Sequence, residues 1–312
     1  MTQTALIIDC DPGVDDAIAL LLAFAAPDLL ELLAITTVGG NVAASATARN
    51  ARIIRQMAGR EDVPVHIGAA APLAREPIAA SHFHGESGLG DLPIFEPVAP
   101  AASSDSATAI VELVMSRPPG SVSLAITGPM TNVALAMQRE PALAARLGPV
   151  AVMGGARAEG GNITASAEYN IYADPHAADI VFRSGCKPTV LGLDATHQVR
   201  ATPQRVAAMA AIDAPYAQTA AQVLQFCART QQALVGWDSP PLHDPCTIAW
   251  MLAPQLFKSV PARLQVETDS PLTAGHTAVE FRLSDPSEAT AQWVTEADGE
   301  GVFNLLLERL AR

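Results

Sequence analysis

Four aspartates lie close together near the start of the chain, where an apolar stretch runs into a candidate helix. Asp9, Asp11, Asp15 and Asp16 fall within eight residues. The period of two along a strand places Asp9 and Asp11 on one face, and the other two follow a Pro-Gly turn into the first helical turn. Like charges about 4 Å apart repel by roughly 4 kcal/mol at an effective dielectric near 20. Either some of these acids are protonated or a cation lies among them.

The oxygen ligands favour a hard cation, Ca²⁺ or Mg²⁺. The alternative is a helix-capping aspartate with solvated neighbours, which the hydrophobic strand leading into the acids disfavours. Three known motifs do not fit. An EF-hand loop would need an acidic residue or Asn at Gly13 and Glu at Leu20, and a DxDxT phosphatase motif would need Thr at Gly13. The segment Gly155–Gly161 has the spacing of a P-loop but lacks its lysine.

Composition and charge narrow the classes of protein. The 312 residues carry 19 basic and 32 acidic side chains, and this net charge of −13 argues against nucleic acid or an anionic membrane as partner. The longest apolar run, Ala17–Ala26, is too short to span a bilayer. The first residues lack the basic region of a signal peptide. We therefore expect a cytoplasmic protein.

Strand-like and helix-like segments alternate along most of the chain, which predicts an α/β protein with a mostly parallel sheet covered on both faces. No internal repeat or linker is evident, so a single domain over residues 1–312 is expected. The strand candidates are Ala5–Ile8, Leu29–Val38, Val63–Ile67, Ser121–Thr127, Val150–Met153, Thr189–Leu193, Leu264–Thr268 and Thr277–Leu283. The helix candidates include Val14–Phe24, Ala43–Met57, Met130–Arg139, Pro175–Arg183, a mainly helical region from Thr202 to about Leu252, and Leu305–Leu310.

Polar residues concentrate in the loops that follow the strand candidates. Ligands of open α/β sheets bind beyond the carboxyl ends of the strands, so these loops are where a site is expected. They are Asp9–Asp16, Gly39–Asn41, Thr127–Asn132, Gly154–Asn170 and Asp194–His197.

The segment Asp9–Asp16, with the pattern Asp-x-Asp-Pro-Gly-Val-Asp-Asp, resembles the signature of the nucleoside hydrolases, the inosine-uridine preferring nucleoside N-ribohydrolases. Each further match is weak alone, but their order and spacing together are specific. They are Thr37–Asn41, His84–Gly90, Thr127–Asn132, Met153–Gly155, Asn162, Glu168–Asn170, Asp174–Pro175 and His243–Pro245. The resemblance implies an open, mostly parallel central sheet flanked by helices, with a Rossmann-like arrangement.

The resemblance also implies a metal site and two catalytic groups. Asp11, Asp16, Asp244 and the backbone carbonyl of Thr127 would hold a Ca²⁺ ion. Asp11 would also act as the general base toward the attacking water, and His243 matches the position that protonates a departing purine. Asp9 would support the site without touching the ion.

The same resemblance assigns residues to the substrate. The ribose hydroxyls and their surroundings would be bound by Asp15, Asn41, Glu168 and Asn170, and the 5′-hydroxyl by Asn162 with the Met153 region. His84 is expected to line the pocket, whereas the side chain of His82 is expected to be solvated. Trp237 could stack on the base, or it could belong to an ordinary amphipathic helix. The proline pair that follows it departs from the family pattern.

Several of these polar residues also suit helix capping. Asp174–Pro175 and Asp244–Pro245 are both favourable Ncap–N1 pairs. We expect Asp174 to be a cap and Asp244 to be a metal ligand. Thr131 and Asn132 are interpreted as caps of the helix that follows them.

These observations together predict a Ca²⁺-dependent enzyme that splits ribonucleosides, purine or pyrimidine, into ribose and free base with inversion at C1′. Acidic groups around the sugar suit the positive charge that develops in glycoside cleavage. A homo-oligomer, tetramer or dimer, is expected from the family. Two alternatives stay open: a nucleoside- or ribose-binding protein that keeps the calcium pocket without turnover, and a metal-dependent phosphohydrolase, which would need a basic phosphate clamp.

Overall fold

A nine-stranded, mostly parallel sheet runs through the middle of the protein in the computed structural model, which describes residues 3–312. Its strand order is β3-β2-β1-β4-β5-β6-β9-β7-β8, where neighbours are hydrogen-bonded. The strands are β1 Thr4–Cys10, β2 Leu30–Thr37, β3 Val65–Ile67, β4 Val122–Ile126, β5 Val150–Met153, β6 Thr189–Leu191, β7 Phe257–Val266, β8 Thr277–Glu280 and β9 Ala291–Ala297. Among the pairs of strands within residues 3–312, β7 is antiparallel to both of its neighbours, β8 and β9, and the other pairs are parallel. The fold class expected from the sequence is confirmed.

Helices cover both faces of this sheet. In chain order they are α1 Val14–Phe24, α2 Ala44–Met57, α3 Ser81–His84, α4 Ser106–Met115, α5 Thr131–Arg139, α6 Leu143–Arg146, α7 Tyr169–Ala173, α8 Pro175–Arg183, α9 Leu193–Thr196, α10 Pro203–Ala210, α11 Pro215–Val235, α12 Asp244–Leu252 and α13 Gly299–Leu310. Two 3₁₀ turns lie shortly before strands, Pro254–Leu256 before β7 and Pro286–Glu288 before β9. None of the helices in the described range is long and apolar enough to cross a membrane.

Strand β1 divides the hydrophobic core into two layers. Leu6 and Ile8 pack with α1, α11, α12 and α13 on one face, whereas Ile7 packs with α4, α5 and α8 on the other. This alternation follows the period of two along a strand. Because α1 is enclosed almost all round, its residues are apolar on every side except at the first turn, where Asp15 and Asp16 lie. The acidic pair is thereby fixed at the end of a rigid element.

The last third of the chain differs from the sequence expectation. Strand β9 was not predicted, yet it lies between β6 and β7 and carries the buried Trp293. Strand β7 begins at Phe257 rather than Leu264, and the final helix begins at Gly299. Strands β7 and β9 each expose one side to solvent, so polar residues alternate with apolar ones along them. They therefore lack the continuous apolar run by which a buried strand is recognised in the sequence. Helix α4 was also not predicted.

Candidate active site

The strand order reverses between β1 and β4, which places a crevice at their carboxyl ends. Asp9–Asp16 begins with the last two residues of β1 and runs into α1, and Thr127 follows β4 directly. The two strands pair in parallel from Ala5–Val122 to Asp9–Ile126, so their ends lie at the same edge of the sheet. The loops after β2, β5 and β6 reach the same edge. The sequence expectation that the polar loops converge is therefore confirmed for this edge.

A cavity of about 540 Å³ opens at this edge, within the size range of small-molecule sites. It has a polar floor and a wall made of aromatic and apolar side chains. Eleven residues singled out from the sequence line it: Asp15, Asn41, His84, Thr127, Met153, Asn162, Glu168, Asn170, Trp237, His243 and Asp244. Asp11 and Asp16 are fully buried and are not among the residues that line the cavity.

Three carboxylates converge at the floor of the cavity. One oxygen each from Asp15, Asp16 and Asp244 lies within 4.8 Å of the others. Asp16 and Asp244 are buried, and Asp15 is half-buried. Across residues 3–312, the only basic side chain close enough to pair with any of them is His84, whose Nδ1 lies 4.0 Å from Asp15. No set of basic side chains in this range therefore balances the negative charge of the three carboxylates.

Asp11 is linked to this group through Asn41, whose side-chain amide contacts both Asp11 and Asp16. Its Oδ2 accepts the backbone N–H of Asn41 at 2.7 Å, while its Oδ1 is buried without a hydrogen-bond partner. Gly128 packs against the free oxygen so closely that a Cβ there would lie 2.6 Å from Oδ1. Leaving a buried carboxylate oxygen unsatisfied costs free energy, which is tolerated where a ligand completes the site.

Asn41 and Thr127 tie the buried acids together. The Asn41 amide donates to Asp16 Oδ2 at 3.3 Å and to the carbonyl of Asp11 at 3.1 Å. The Thr127 hydroxyl donates to Asp16 Oδ1 at 2.8 Å. The first turn of α1 adds the N–H of Gly13, which donates to Asp16 Oδ2 at 3.0 Å. Asp16 is therefore held in one orientation by three elements of the fold.

Burial and mutual repulsion disfavour the charged forms of these acids. Burial, reinforced by the charge of Asp15, raises the pKa of Asp16 to about 7. Burial and the neighbouring Asp16 raise the pKa of Asp11 well above its usual range. Burial and then Asp15 do the same to the pKa of Asp244. A bound cation would reverse this balance, because an opposite charge favours the ionised carboxylates.

The residues present therefore fit a hard divalent cation. The floor supplies several carboxylate oxygens, and among the described residues Asp15 Oδ1 and Asp11 Oδ1 have no hydrogen-bond partner. Thr127 lines the cavity, and its carbonyl would be a further oxygen ligand. Oxygen-only donor sets are what Ca²⁺ and Mg²⁺ prefer. This part of the molecule could hold a metal ion.

One side of the cavity offers hydrogen-bonding groups suited to hydroxyls. Glu168 caps α7 by accepting the N–H groups of Asn170 and Ile171, and it also accepts that of Gly155. Burial nevertheless raises the pKa of Glu168 to about 7. The Asn170 amide donates to the carbonyls of Thr127 and, more weakly, Met153. Asn162 accepts the N–H of Tyr169 at 2.8 Å, and its amide nitrogen has no hydrogen-bond partner among residues 3–312.

The opposite side of the cavity carries His243, which directly precedes α12. The Thr196 hydroxyl lies 2.9 Å from its Nδ1. Burial lowers the pKa of His243 to about 4, although Asp15 opposes this effect. The imidazole is therefore neutral near pH 7, and one of its nitrogens can donate a hydrogen bond while the other accepts.

Trp237 lies at the mouth of the cavity and is 39% exposed. The guanidinium of Arg200 lies 4.4 Å from its ring centroid, and the ring of His197 contacts it edge-on at 5.6 Å. Further inside, His84 is buried and its Nδ1 accepts the N–H of Val14 at 3.2 Å, whereas His82 is exposed at the rim. His84 therefore lines the cavity as expected.

Helix capping differs from the expectation at two positions. Thr131 and Asn132 do not cap α5, which begins without a side-chain cap. The Thr131 hydroxyl donates to Asp174, and the Asn132 amide donates to Asp9 Oδ1 at 2.8 Å and to the carbonyl of Thr37. Both side chains are buried and satisfy polar groups of other elements, the cap of α8 and the ends of β1 and β2, rather than their own helix.

The two aspartate–proline pairs behave differently. Asp174 caps α8 by accepting the N–H of Ala177 at 3.0 Å, as expected. Asp244 is the first residue of α12, the preceding His243 is its Ncap, and no side chain caps this helix. The carboxylate of Asp244 thus remains available to the acidic floor. Asp9 accepts hydrogen bonds from Thr36 and Asn132 and does not line the cavity.

Sequence reasoning missed several residues of the cavity wall. Thr196 contacts His243, and His197 and Glu159 line the mouth. All three lie in the segments after β5 and β6, where the concentration of polar residues predicts a site. Their partners are distant in sequence, and no local pattern indicates them. Apolar wall residues, also missed, are Phe83, Ile163, Leu234 and Val235.

Comparison with known proteins agrees with this geometry. The family model for the inosine-uridine preferring nucleoside hydrolases matches residues 6–304. A pyrimidine-specific ribonucleoside hydrolase, RihA of Photobacterium profundum, is 41% identical over 309 residues, covering 98% of each chain. An uncharacterised protein of Schizosaccharomyces pombe is 38% identical over 307 residues, covering 98% of this chain and 99% of its own.

Solved structures share the whole fold. A plant nucleoside hydrolase superposes with a TM-score of 0.89 at 31% identity, covering 99% of each chain. A purine-preferring ribonucleoside hydrolase of Gardnerella vaginalis superposes with a TM-score of 0.91 at 30% identity, covering 98% of each chain. The chain therefore belongs to the family of inosine-uridine preferring nucleoside hydrolases, enzymes that act on N-glycosyl bonds.

Proposed function

We propose that this chain is a Ca²⁺-dependent ribonucleoside hydrolase that releases ribose and a free nucleobase with inversion at C1′. The observation that carries the proposal is the buried acidic floor of the cavity, with hydroxyl-binding groups on one side and an imidazole on the other. Cleavage of an N-glycosidic bond needs this combination, because positive charge develops on the sugar while the base must leave.

Asp11, Asp16, Asp244 and the carbonyl of Thr127 would hold the ion. Asp15, whose carboxylate lies beside Asp16 and Asp244, adds negative charge to the same place. When bound, Ca²⁺ would polarise the attacking water and lower its pKa. Its preference for oxygen ligands and flexible geometry suits a site built from three loops.

Asp11 is proposed as the general base. Its Oδ1 has no partner, while Asn41 fixes the other oxygen, so the free oxygen is the one that can accept a proton. A positioned base contributes about 10²–10⁴-fold to the rate. The packing of Gly128 against Oδ1 limits the directions from which a water could approach.

The ribose is proposed to lie against Asp15, Asn41, Glu168 and Asn170, with its 5′-hydroxyl toward Asn162 and Met153. Carboxylates accept from hydroxyls, and each amide both donates and accepts, so the set can satisfy several sugar hydroxyls at once. The negative charge of the acidic members stabilises a sugar that becomes cationic in the transition state.

The nucleobase would then lie toward His243, with Trp237 at the mouth as a surface on which it could stack. His243 is proposed to donate a hydrogen bond to the departing base. We propose activity on both classes of nucleoside, since the RihA relative is named pyrimidine-specific and the Gardnerella enzyme purine-preferring. The homo-oligomeric assembly and the cytoplasmic location stay predictions.

The proposal is tested with the variant Asp11→Asn. We expect ribose release from inosine and uridine to fall by at least about 10²-fold, because the general base is lost. Ribose binding, measured by calorimetry in the presence of Ca²⁺, should persist. An exposed glutamate on α13 gives a matched control, Glu308→Gln, which should leave the rate unchanged. A wild-type protein that binds ribose and releases none from any nucleoside would favour the binding-protein alternative.

A further inference from the structure

A second imidazole, His197, lies at the proposed nucleobase end of the cavity. It directly follows α9, and its ring centroid is 5.8 Å from that of His243. Its ring also meets Trp237 edge-on at 5.6 Å, and its side chain is 13% exposed. The hydrolytic steps proposed above do not use it.

Glu159 determines which nitrogen of this ring carries a proton. The Nδ1 atom of His197 lies 2.8 Å from Oε2 of Glu159. An ionised carboxylate only accepts hydrogen bonds, so Nδ1 must be the donor. In a neutral imidazole the other nitrogen, Nε2, is then an acceptor. Within residues 3–312, Nε2 has no hydrogen-bond partner and is not sealed from solvent, and His197 itself lines the cavity.

The ring is held from two directions. Glu159, from the loop after β5, fixes one edge, and Trp237 packs on the ring from the segment after α11. Trp237 is itself covered by the guanidinium of Arg200 at 4.4 Å. A partly exposed hydrogen bond between a neutral imidazole and a carboxylate adds little to stability. Here its effect is on orientation, because it selects one tautomer and one ring direction.

We propose that His197, oriented by Glu159, is a specificity-determining residue that presents a hydrogen-bond acceptor to the nucleobase. This inference rests on the proposed function. Uracil, hypoxanthine and guanine carry a ring N–H on their pairing edge and can donate to Nε2. Cytosine and adenine carry a ring nitrogen lone pair at the corresponding position, so two acceptors would face each other. The site therefore selects bases with a ring N–H within both the pyrimidine and the purine class.

The test compares kcat/KM for uridine against cytidine and for inosine against adenosine, near pH 8, where imidazoles are ordinarily neutral. The variants are His197→Phe, which keeps a ring beside Trp237, and Glu159→Gln, which no longer forces the proton onto Nδ1. Because cytosine and uracil differ as leaving groups, the informative quantity is the change of each ratio between wild type and variant. We expect both ratios to fall by about tenfold in His197→Phe and severalfold in Glu159→Gln. Glu308→Gln should leave them unchanged.

A binding measurement makes the test independent of turnover. Calorimetry with free uracil against cytosine, and hypoxanthine against adenine, should show tighter binding of the first member of each pair, and this preference should vanish in His197→Phe. Ratios that stay unchanged in both variants would overturn the inference. So would a wild-type preference for cytosine and adenine, which requires a protonated imidazole. Loss of all turnover would contradict the proposed function alone, since the base-binding ratios would still decide the role of His197.

Discussion

The hydroxyl of Thr196 lies 2.9 Å from Nδ1 of His243, although the two residues are 47 positions apart. Thr196 is fully buried at the end of α9, and His243 directly precedes α12. The contact joins the loop after β6 to the segment that carries the imidazole. It leaves Nε2 of His243 as the nitrogen available to a substrate, because Nδ1 is already engaged.

The first prediction follows from this contact. Replacing Thr196 by Val keeps the shape of the side chain and removes the hydroxyl, so His243 loses the partner that fixes its ring. We expect kcat for inosine and uridine to fall by about 10-fold to 100-fold, within the range for loss of assistance to a leaving group. Hydrolysis of 4-nitrophenyl riboside should change little, because nitrophenolate leaves without a proton.

The conservative variant Thr196→Ser is the control, since it restores the hydroxyl and should recover most of the rate. An equal loss of activity on nucleosides and on the nitrophenyl riboside would contradict this role and indicate a general disturbance of the cavity.

A second prediction concerns Gly128, which packs against Asp11. A Cβ at this position would lie 2.6 Å from Oδ1 and 2.9 Å from the backbone nitrogen of Asp11. Because the second contact is with backbone, the clash cannot be relieved by a side-chain rotation. We expect Gly128→Ala to weaken Ca²⁺ binding, measured by calorimetry, and to lower ribose release by at least about 10²-fold. Wild-type Ca²⁺ affinity in a folded Gly128→Ala protein would contradict the placement of the ion beside Asp11.

The sequence predicts the place of the site better than its internal contacts. Asp11–Asp16 and Thr127 follow strands that end at the same edge, and a parallel sheet brings such loops together. Thr131 and Asn132 show the limit of local rules. Polar residues before an apolar helix are typical caps, yet here they bond to Asp174 and to the ends of two strands. Those partners are set by tertiary structure, which local spacing does not encode.

The same limit explains why the sequence does not predict strand β9 or the contact between Glu159 and His197 at the mouth of the cavity. Strand β9 carries Gln292 and Glu296 among its apolar residues, so its sequence lacks the continuous apolar run of the inner parallel strands. Glu159 and His197 are 38 positions apart, and each is unremarkable in its own loop. A hydrogen bond of this kind follows from the arrangement of β5 and β6, and no residue pattern near either partner indicates it.

A third prediction concerns pH in protein stripped of metal. The pKa of Glu168 is raised from 4.5 to about 7, mainly by burial. The folded state therefore keeps a proton that the unfolded chain has released, so the free energy of unfolding falls as pH rises from 4.5 to about 7 and levels off above that range. The contribution of this group is about 3 kcal/mol. Urea unfolding of chelator-treated protein at several pH values measures this change in the free energy of unfolding.

The variant Glu168→Gln should flatten this part of the pH dependence, because the amide does not titrate, whereas Glu308→Gln should retain it. An identical pH dependence of stability in wild type and Glu168→Gln would contradict the raised pKa. Adding Ca²⁺ above pH 7 should restore stability, since the ion binds the folded state only and neutralises the acidic floor.

The central claim is that the acidic floor binds Ca²⁺ for the cleavage of ribonucleosides. The most direct measurement is ribose release from inosine, adenosine, guanosine, uridine and cytidine, before and after a chelator removes bound metal, and again after Ca²⁺ or Mg²⁺ is returned. We predict release from at least one nucleoside, its loss on chelation by about 10²-fold or more, and its recovery with Ca²⁺. Undiminished release from fully stripped protein, or no release from any nucleoside by folded, Ca²⁺-loaded protein, would contradict the claim.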